Sequence, residues 1–343
     1  MGLYYQEVAQ AFDRAAAEYD ELYRANRIMD WMRGESLTAL QAAFPPGSRL
    51  LEIGCGTGDE ALALSRLGYR VVATDISAAM IEAAQAKASD MPPGQAVRVT
   101  WRTLPAGRLA ELSEEFGTDA FDGAYSSFGS LNCEPDLGPV AASLANLLRP
   151  GARLVCSVMN RWCFWEIGWY MLHLRPRQAL RRLPALPALR PEGGCPGRTF
   201  RPPSWAVTDS SPRPLRCATG FHSEAGLCPR SVPNAARQER AASAGGKGWV
   251  RAGLAAPGGT LVVPVRYYTP REFAEACTPY FRLRSVRGLP VLLPPPYLEP
   301  LARRHPGVFA RLEAAEARMR DRWLFRALGD HFLLVLERVD RIP

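Results

Sequence analysis

The sequence has no run of 18 apolar residues, so no membrane-spanning helix is expected. Its eight cysteines form no C-x-x-C pair, which argues against a zinc site, and no metal is expected. Residues 1–14 lack an apolar stretch after a basic start, so no signal peptide is expected; thiols kept reduced in a cytoplasm follow from that. Lysine is almost missing. Of the 42 basic residues only Lys87 and Lys247 are lysines, a bias that with abundant Ala, Pro and Gly marks GC-rich coding. The net charge of +8 is also unevenly spread. Residues 191–259 hold nine Arg or Lys against four Asp or Glu, leaving the rest too weakly basic to argue for a nucleic-acid partner. No internal repeat is evident.

With 343 residues, 47% of them hydrophobic, the chain can bury one large core or two small ones. Residues 1–48 read as a helical N-terminal cover: Ala9, Phe12, Ala16 and Tyr19, then Ile28, Trp31, Met32 and Leu37, recur at helical spacing before Pro45-Pro46-Gly47. Residues 49–160 then alternate strand and helix. Strands are expected at Leu50–Gly54, Arg70–Asp75, Val97–Trp101, Phe121–Ser126 and Arg153–Val158. Helices are expected over Asp59–Leu67, Ala78–Ala88 with Ser77 as cap, and Leu137–Leu148. This predicts an α/β fold, a doubly wound and mostly parallel sheet.

Residues 161–190 read as an aromatic and basic cap. In residues 191–259 Leu, Ile, Val and Phe total eight of 69, below the roughly 20% at which disorder is expected. A disordered insertion and a shifted reading frame in a GC-rich gene would both give this mixture. Order resumes over residues 260–343: a strand at Leu261–Val265, a helix from Pro270 capped by Thr269, a strand at Phe281–Gly288, a charged helix at Val308–Arg322 and a closing strand at His331–Val339.

The chemistry sits at Glu52-Ile53-Gly54-Cys55-Gly56-Thr57-Gly58 and at Asp75, one strand later. Alternating glycines at a strand-to-helix turn allow positive φ and let a ligand approach the backbone. The helix that follows offers free N–H groups to a carboxylate. An acid ending the next strand can take the two hydroxyls of a ribose. A nicotinamide site would want G-x-G-x-x-G, whose third glycine falls here on Asp59.

The spacing E-x-G-x-G-x-G instead resembles the first motif of the class I S-adenosylmethionine-dependent methyltransferases. Phe121–Ser126 is similar to that family's fourth strand, and Leu147-Leu148-Arg149-Pro150-Gly151 to its turn into the fifth. Tyr268–Phe273 with Phe281–Gly288 resembles its last helix and sixth strand, and His331–Arg338 its final antiparallel strand. Phe12–Asp20 is similar to the cover helix of members acting on small molecules, including quinones. The resemblance implies a seven-stranded Rossmann-like sheet with helical cap insertions, and S-adenosyl-L-methionine as cofactor. It implies that Gly54, Cys55, Gly56 and Gly58 form the bed under the methionine part and that Glu52 orders the turn. By the same token Asp75 binds the ribose, Ile76 packs on adenine, Ser126 and Phe128 line the site, and Tyr19 closes over it. The family's acid near the adenine amine is absent at Thr103-Leu104, which leaves Leu104 packing in its place.

Methyl transfer asks little of side chains beyond holding the reactants in line, and a base only where the acceptor loses a proton. His173, Glu134 and Glu166 are candidates; His331, in the closing strand, is a poorer one. Members of the family that methylate base amines carry N/D-P-P-Y after the fourth strand. Ser126-Ser127-Phe128-Gly129 stands there, which disfavours nucleic acid. Trp162, Trp165 and Trp169, with Arg161, Arg175, Arg177, Arg181 and Arg182 around them, suit a lipid-like apolar acceptor or a membrane surface. The expected function is methyl transfer to a small or lipid-like acceptor; a non-catalytic cofactor-binding protein or inactivated copy is the alternative.

Overall fold

The first strand, β1 (Arg49–Ile53), is buried on both of its faces, as a central parallel strand must be. In the computed structural model, which describes residues 2–24, 26–92, 97–183, 249–256 and 259–339, it lies at the middle of a seven-stranded sheet. Its parallel neighbours are β2 (Arg70–Asp75) and β4 (Phe121–Ser126). Outward from β2 comes β3 (Val99–Thr103), and outward from β4 comes β5 (Leu148–Met159). The order closes as β3-β2-β1-β4-β5-β9-β8. Here β9 (His331–Arg338) runs antiparallel between β5 and β8 (Phe281–Leu289).

Helices cover both faces. On one side α2 (Arg27–Ala43) and α3 (Asp59–Arg66) pack with Leu50, Tyr125, Val155 and Leu333. On the other, α6 (Leu137–Leu147) packs with Leu51, Leu154, Phe332 and Leu334. The sequence sets the helix starts. Asn26 accepts from the Ile28 and Met29 N–H groups at α2, and Ser77 accepts from Met80 at α4 (Ala78–Ser89). A capping box of Thr269 and Glu272 opens the helix Pro270–Ala276. Helix α1 (Leu3–Tyr23) lies against α4 and forms the expected cover.

Some expectations shift: the fifth strand, read from Arg153, already begins at Leu148. The third strand starts at Val99 and runs two residues further than read, to Thr103. The strand at Leu261–Val265 is longer, β7 (Gly259–Arg266), and stands outside the seven-stranded sheet. It pairs with β6 (Trp249–Ala256) in a separate antiparallel ribbon, with Pro264 opposite Arg251. The end of the stretch expected to be disordered is therefore a strand. The remainder of that expectation, residues 191–248 and 257–258, lies outside the described residues. The cap after β5 is two short helices, α7 (Phe164–Leu172) and α8 (Pro176–Ala179).

Candidate functional site

The turn after β1 is built from glycines that only glycine can supply. Gly54, Gly56 and Gly58 all have positive φ, at 70°, 52° and 82°. A Cβ on Gly54 would stand 2.2 Å from the Ser130 Cβ, and one on Gly58 2.6 Å from the Trp101 ring. The turn is pinned from below: the Gly54 and Cys55 N–H groups donate to the Thr74 carbonyl at 2.8 and 2.9 Å. Ser130 ties it to the end of β4, donating to the Ile53 carbonyl at 2.8 Å and meeting Ser126 Oγ at 2.5 Å. Ser126 thus reaches the glycine turn through Ser130.

Asp75 ends β2 beside this turn, buried. One carboxylate oxygen accepts from the Gly56 N–H at 2.8 Å and the other from the Ser77 N–H at 2.9 Å. Burial raises its carboxyl to about 6, against the pull of those two N–H groups. Ile76 packs with Val8, Ala11 and Val263, so the face expected for adenine lies under α1 and β7. Leu104 is buried, and its N–H donates to the Asp75 carbonyl at 2.7 Å. Glu52 is buried on β1 opposite Tyr125 on β4, yet carboxylate and hydroxyl do not meet in hydrogen-bond geometry. Burial holds the Glu52 carboxyl well above the usual carboxylate range.

The cover helix closes over the turn. Tyr19 lies 3.9 Å from where a Gly56 Cβ would sit and packs edge-on against Tyr23. Residues that sequence reasoning missed fasten this helix. Asp13 accepts from Ser77 Oγ at 2.6 Å and from the Ala79 N–H at 3.2 Å, a second cap on α4 from another element. Asp20 accepts from Thr57 Oγ1 at 2.6 Å and pairs with Lys87 at 2.7 Å. Lys87 also holds Asp59, which pairs with Arg33. These charges on α1 to α4 read in sequence as solvated helix faces, and only the packing joins them.

The candidate bases separate. Glu166 is buried and takes hydrogen bonds from Arg181, Arg182 and the Tyr297 hydroxyl. Burial raises its carboxyl, but the arginines win and lower it, so it is a poor proton acceptor; the expectation is corrected to a structural anchor. His173 is exposed at the end of α7, its ring stacked on Trp169 and Nδ1 on the Trp169 carbonyl. Glu134 accepts from the Tyr5 hydroxyl at 2.5 Å, and burial pushes its carboxyl up to about 7. It approaches the Gly107 backbone, just past the stretch where an acid was missing.

On the acceptor side, Phe128 holds a positive φ of 52° two residues beyond β4 and packs edge-on to the His331 ring. Trp165 donates its indole N–H to the Leu292 carbonyl, while Trp162 is partly exposed at the start of the cap. Arg161 pairs with Glu272 at 2.7 Å and ties the cap to the helix Pro270–Ala276.

Comparison with known proteins agrees with this geometry. Residues 51–154 match the family described as a methyltransferase domain. A demethylmenaquinone methyltransferase of Symbiobacterium thermophilum is 27% identical over 154 residues, 44% of this chain and 58% of that protein. A ubiquinone biosynthesis O-methyltransferase of Alkalilimnicola ehrlichii is 31% identical over 136 residues, 38% of this chain and 51% of that one. The chain thus spans little more than half the length of these relatives. The CcbJ methyltransferase of Streptomyces caelestis shares the fold, with a TM-score of 0.53 at 16% identity over 96% of this chain and 98% of its own.

Proposed function

We propose that this chain, which carries the domain of the class I S-adenosylmethionine-dependent methyltransferases, transfers a methyl group from that cofactor to a small, lipid-like aromatic acceptor of quinone type. The observation that carries the reading is the turn at Gly54–Gly58 set beside the buried Asp75 and roofed by Tyr19. The residues fit the cofactor. The bed is one that Cβ atoms would fill, and Asp75 keeps lone pairs for ribose hydroxyls beyond the two it gives to backbone N–H groups. Glu52 lies buried at the head of the same turn, beside Tyr125 on β4, where it supports the bed from beneath.

When bound, the cofactor supplies an electrophilic methyl group on a sulfonium. The chain's own work is to orient and to exclude water, and holding an acceptor in a near-attack geometry lowers the barrier by about 7–11 kcal/mol. Trp162, Trp165 and Trp169 follow the end of β5 and are half-buried to exposed, so they would supply apolar surface to an acceptor, with Phe128, just beyond β4, as a further contact. The names of the relatives support a quinone-like acceptor. Ser126–Gly129, where base-amine methylating members carry N/D-P-P-Y, speaks against nucleic acid.

No helix of the described residues is long and apolar enough to cross a membrane. The cap nonetheless leaves Phe164, Leu172 and Leu174 exposed at 66%, 78% and 89%, next to the exposed Arg175 and Arg177. That pairing supports peripheral contact with an anionic membrane, where such acceptors dissolve. The test of the function is calorimetry with S-adenosylhomocysteine together with transfer of labelled methyl into a lipid extract. Tight binding with no transfer would leave the non-catalytic reading standing.

A further inference from the structure

The cap and the closing strand meet in a buried ionic cluster that the cofactor bed does not use. Arg182 lies at its centre, donating to Glu166 at 2.7 Å, to Asp330 at 2.5 Å and to the Asn160 carbonyl at 2.9 Å. Asp330 has a second task. Its other carboxylate oxygen accepts from His331 Nδ1 at 2.8 Å. His331 is the first residue of β9 and pairs with Met159, the last residue of β5. It therefore stands at the carboxyl ends of the parallel strands, where ligands of such sheets sit. Alternation along β9 places it on the same face as Leu333, whose cluster includes Phe128, and its ring meets Phe128 at 6.5 Å between centroids.

The geometry points to His331 as the general base that removes the proton from a hydroxyl-bearing aromatic acceptor resting on Phe128, with Asp330 and Arg182 as positioning residues. This rests on the methyltransferase reading above. An ionised carboxylate can only accept, so Asp330 makes Nδ1 the protonated nitrogen and leaves the Nε2 lone pair free. Burial raises the Asp330 carboxyl, but Arg182 and His331 hold it far below the usual range, so it stays charged when the imidazole gains a proton. Nε2 bonds to no described residue. The titratable and charged groups around the dyad are Arg182 and Glu166 from the cap, Cys163 before it, and Tyr267 after β7.

The step balances. The hydroxyl proton passes to Nε2, and its electron pair stays on the acceptor oxygen. That pair forms the new bond to the methyl carbon as the carbon–sulfur bond breaks, and the sulfur keeps its pair as a neutral thioether. The proton leaves to water with the product. In the order β1-β4-β5-β9 the glycine turn and His331 are three strand spacings of about 4.8 Å apart, and Phe128 follows β4, a strand between them.

The test uses the full chain, S-adenosylhomocysteine in calorimetry, and menadiol and catechol as acceptors. His331→Gln is expected to bind S-adenosylhomocysteine within about threefold of wild type. Methyl transfer at neutral pH should fall about 100-fold or more and recover as pH approaches the hydroxyl's own pKa, where base is no longer needed. Asp330→Asn should fall less, losing kcat rather than raising the acceptor KM. Added imidazole should restore part of the rate to His331→Gly. A His331→Gln protein with the wild-type rate and pH profile overturns the proposal. So does a wild type that binds S-adenosylhomocysteine yet methylates neither acceptor. Should the variants not fold, wild-type His331 ring NMR signals unmoved by menadiol overturn it. A wild type that does not bind S-adenosylhomocysteine refutes the methyltransferase reading itself.

Discussion

Asp75 gives the sharpest test of the cofactor site, because its charge can be removed by mutation or by pH. The carboxylate already takes two backbone N–H groups at 2.8 and 2.9 Å, so it is oriented before any ligand arrives. A hydrogen bond to a charged acceptor contributes about 1.5–3 kcal/mol. Asp75→Asn loses that charge and turns an amide donor toward the Gly56 or Ser77 N–H. Affinity for S-adenosylhomocysteine should fall roughly 10- to 100-fold. The pH dependence follows from burial, which raises the Asp75 carboxyl to about 6. Ribose hydroxyls donate to the ionised form, so binding competes with protonation and weakens as pH falls through that value. Between about pH 8 and pH 5 the dissociation constant should rise about tenfold, with most of the change below pH 6. Calorimetry on wild type and Asp75→Asn in parallel isolates this group from Glu52 and Glu60, whose carboxyls burial also raises. Equal affinity in the two proteins, or equal pH slopes, would refute the assignment of Asp75 to the ribose.

Other outcomes follow from the same structure. Gly58→Ala forces a side chain into φ 82° and against Trp101 and Ala84; unfolding in urea should show a loss of about 2–4 kcal/mol, and a change within error would mean the turn is slack. Asp13→Ala removes a cap on α4 supplied by α1. It should cost about 1 kcal/mol and weaken cofactor binding, with faster proteolysis of the first 24 residues as the direct readout. Arg182→Ala leaves Glu166 and Asp330 buried without their shared cation, so a destabilisation of about 3–5 kcal/mol is expected by thermal unfolding. Replacing Trp165 and Trp169 with Ala should raise the acceptor KM while cofactor affinity stays within a few-fold; equal loss of both would remove the cap from acceptor recognition. Anionic liposomes should sediment the protein at low salt, and Leu172→Glu with Leu174→Glu should abolish it.

The parts of the site that lie within one strand–turn–helix unit were legible in the sequence. Glu52, the three glycines and Asp75 belong to adjacent parallel strands whose pairing follows from their order, so spacing alone brings them together. Capping by Ser77 and Thr269 was legible for the same reason, since a cap acts within three residues. What failed was whatever required a partner far along the chain. The strand at Leu261–Val265 could be read as a strand but not assigned a partner, because its composition is that of any strand. Its true partner, β6, begins in a stretch where apolar residues are scarce. Asp13, Asp20 and Lys87 read as ordinary helix charges, and the α1–α4 contact gives them their roles. Glu166 looked like an available acid until Arg181 and Arg182 came 15 and 16 residues later to neutralise it.

His331 shows why the acceptor side was the hardest to read. In sequence it opens an apolar run, His331-Phe332-Leu333-Leu334-Val335-Leu336, and nothing nearby marks it as more than a strand start. Two facts of topology change its meaning. Strand β9 is inserted antiparallel between β5 and β8, so its first residue, not its last, lies at the carboxyl ends of the parallel strands. A residue at the amino end of a parallel strand in that place would sit at the opposite edge of the sheet. The second fact is the pairing of Asp330 with Arg182, separated by 148 residues, which fixes the carboxylate against the imidazole. Neither fact leaves a local mark, because strand direction and burial of a distant charge depend on the assembled sheet. The same inversion that hides His331 in the sequence sets it beside Phe128, at the end of the sheet where the glycine turn lies.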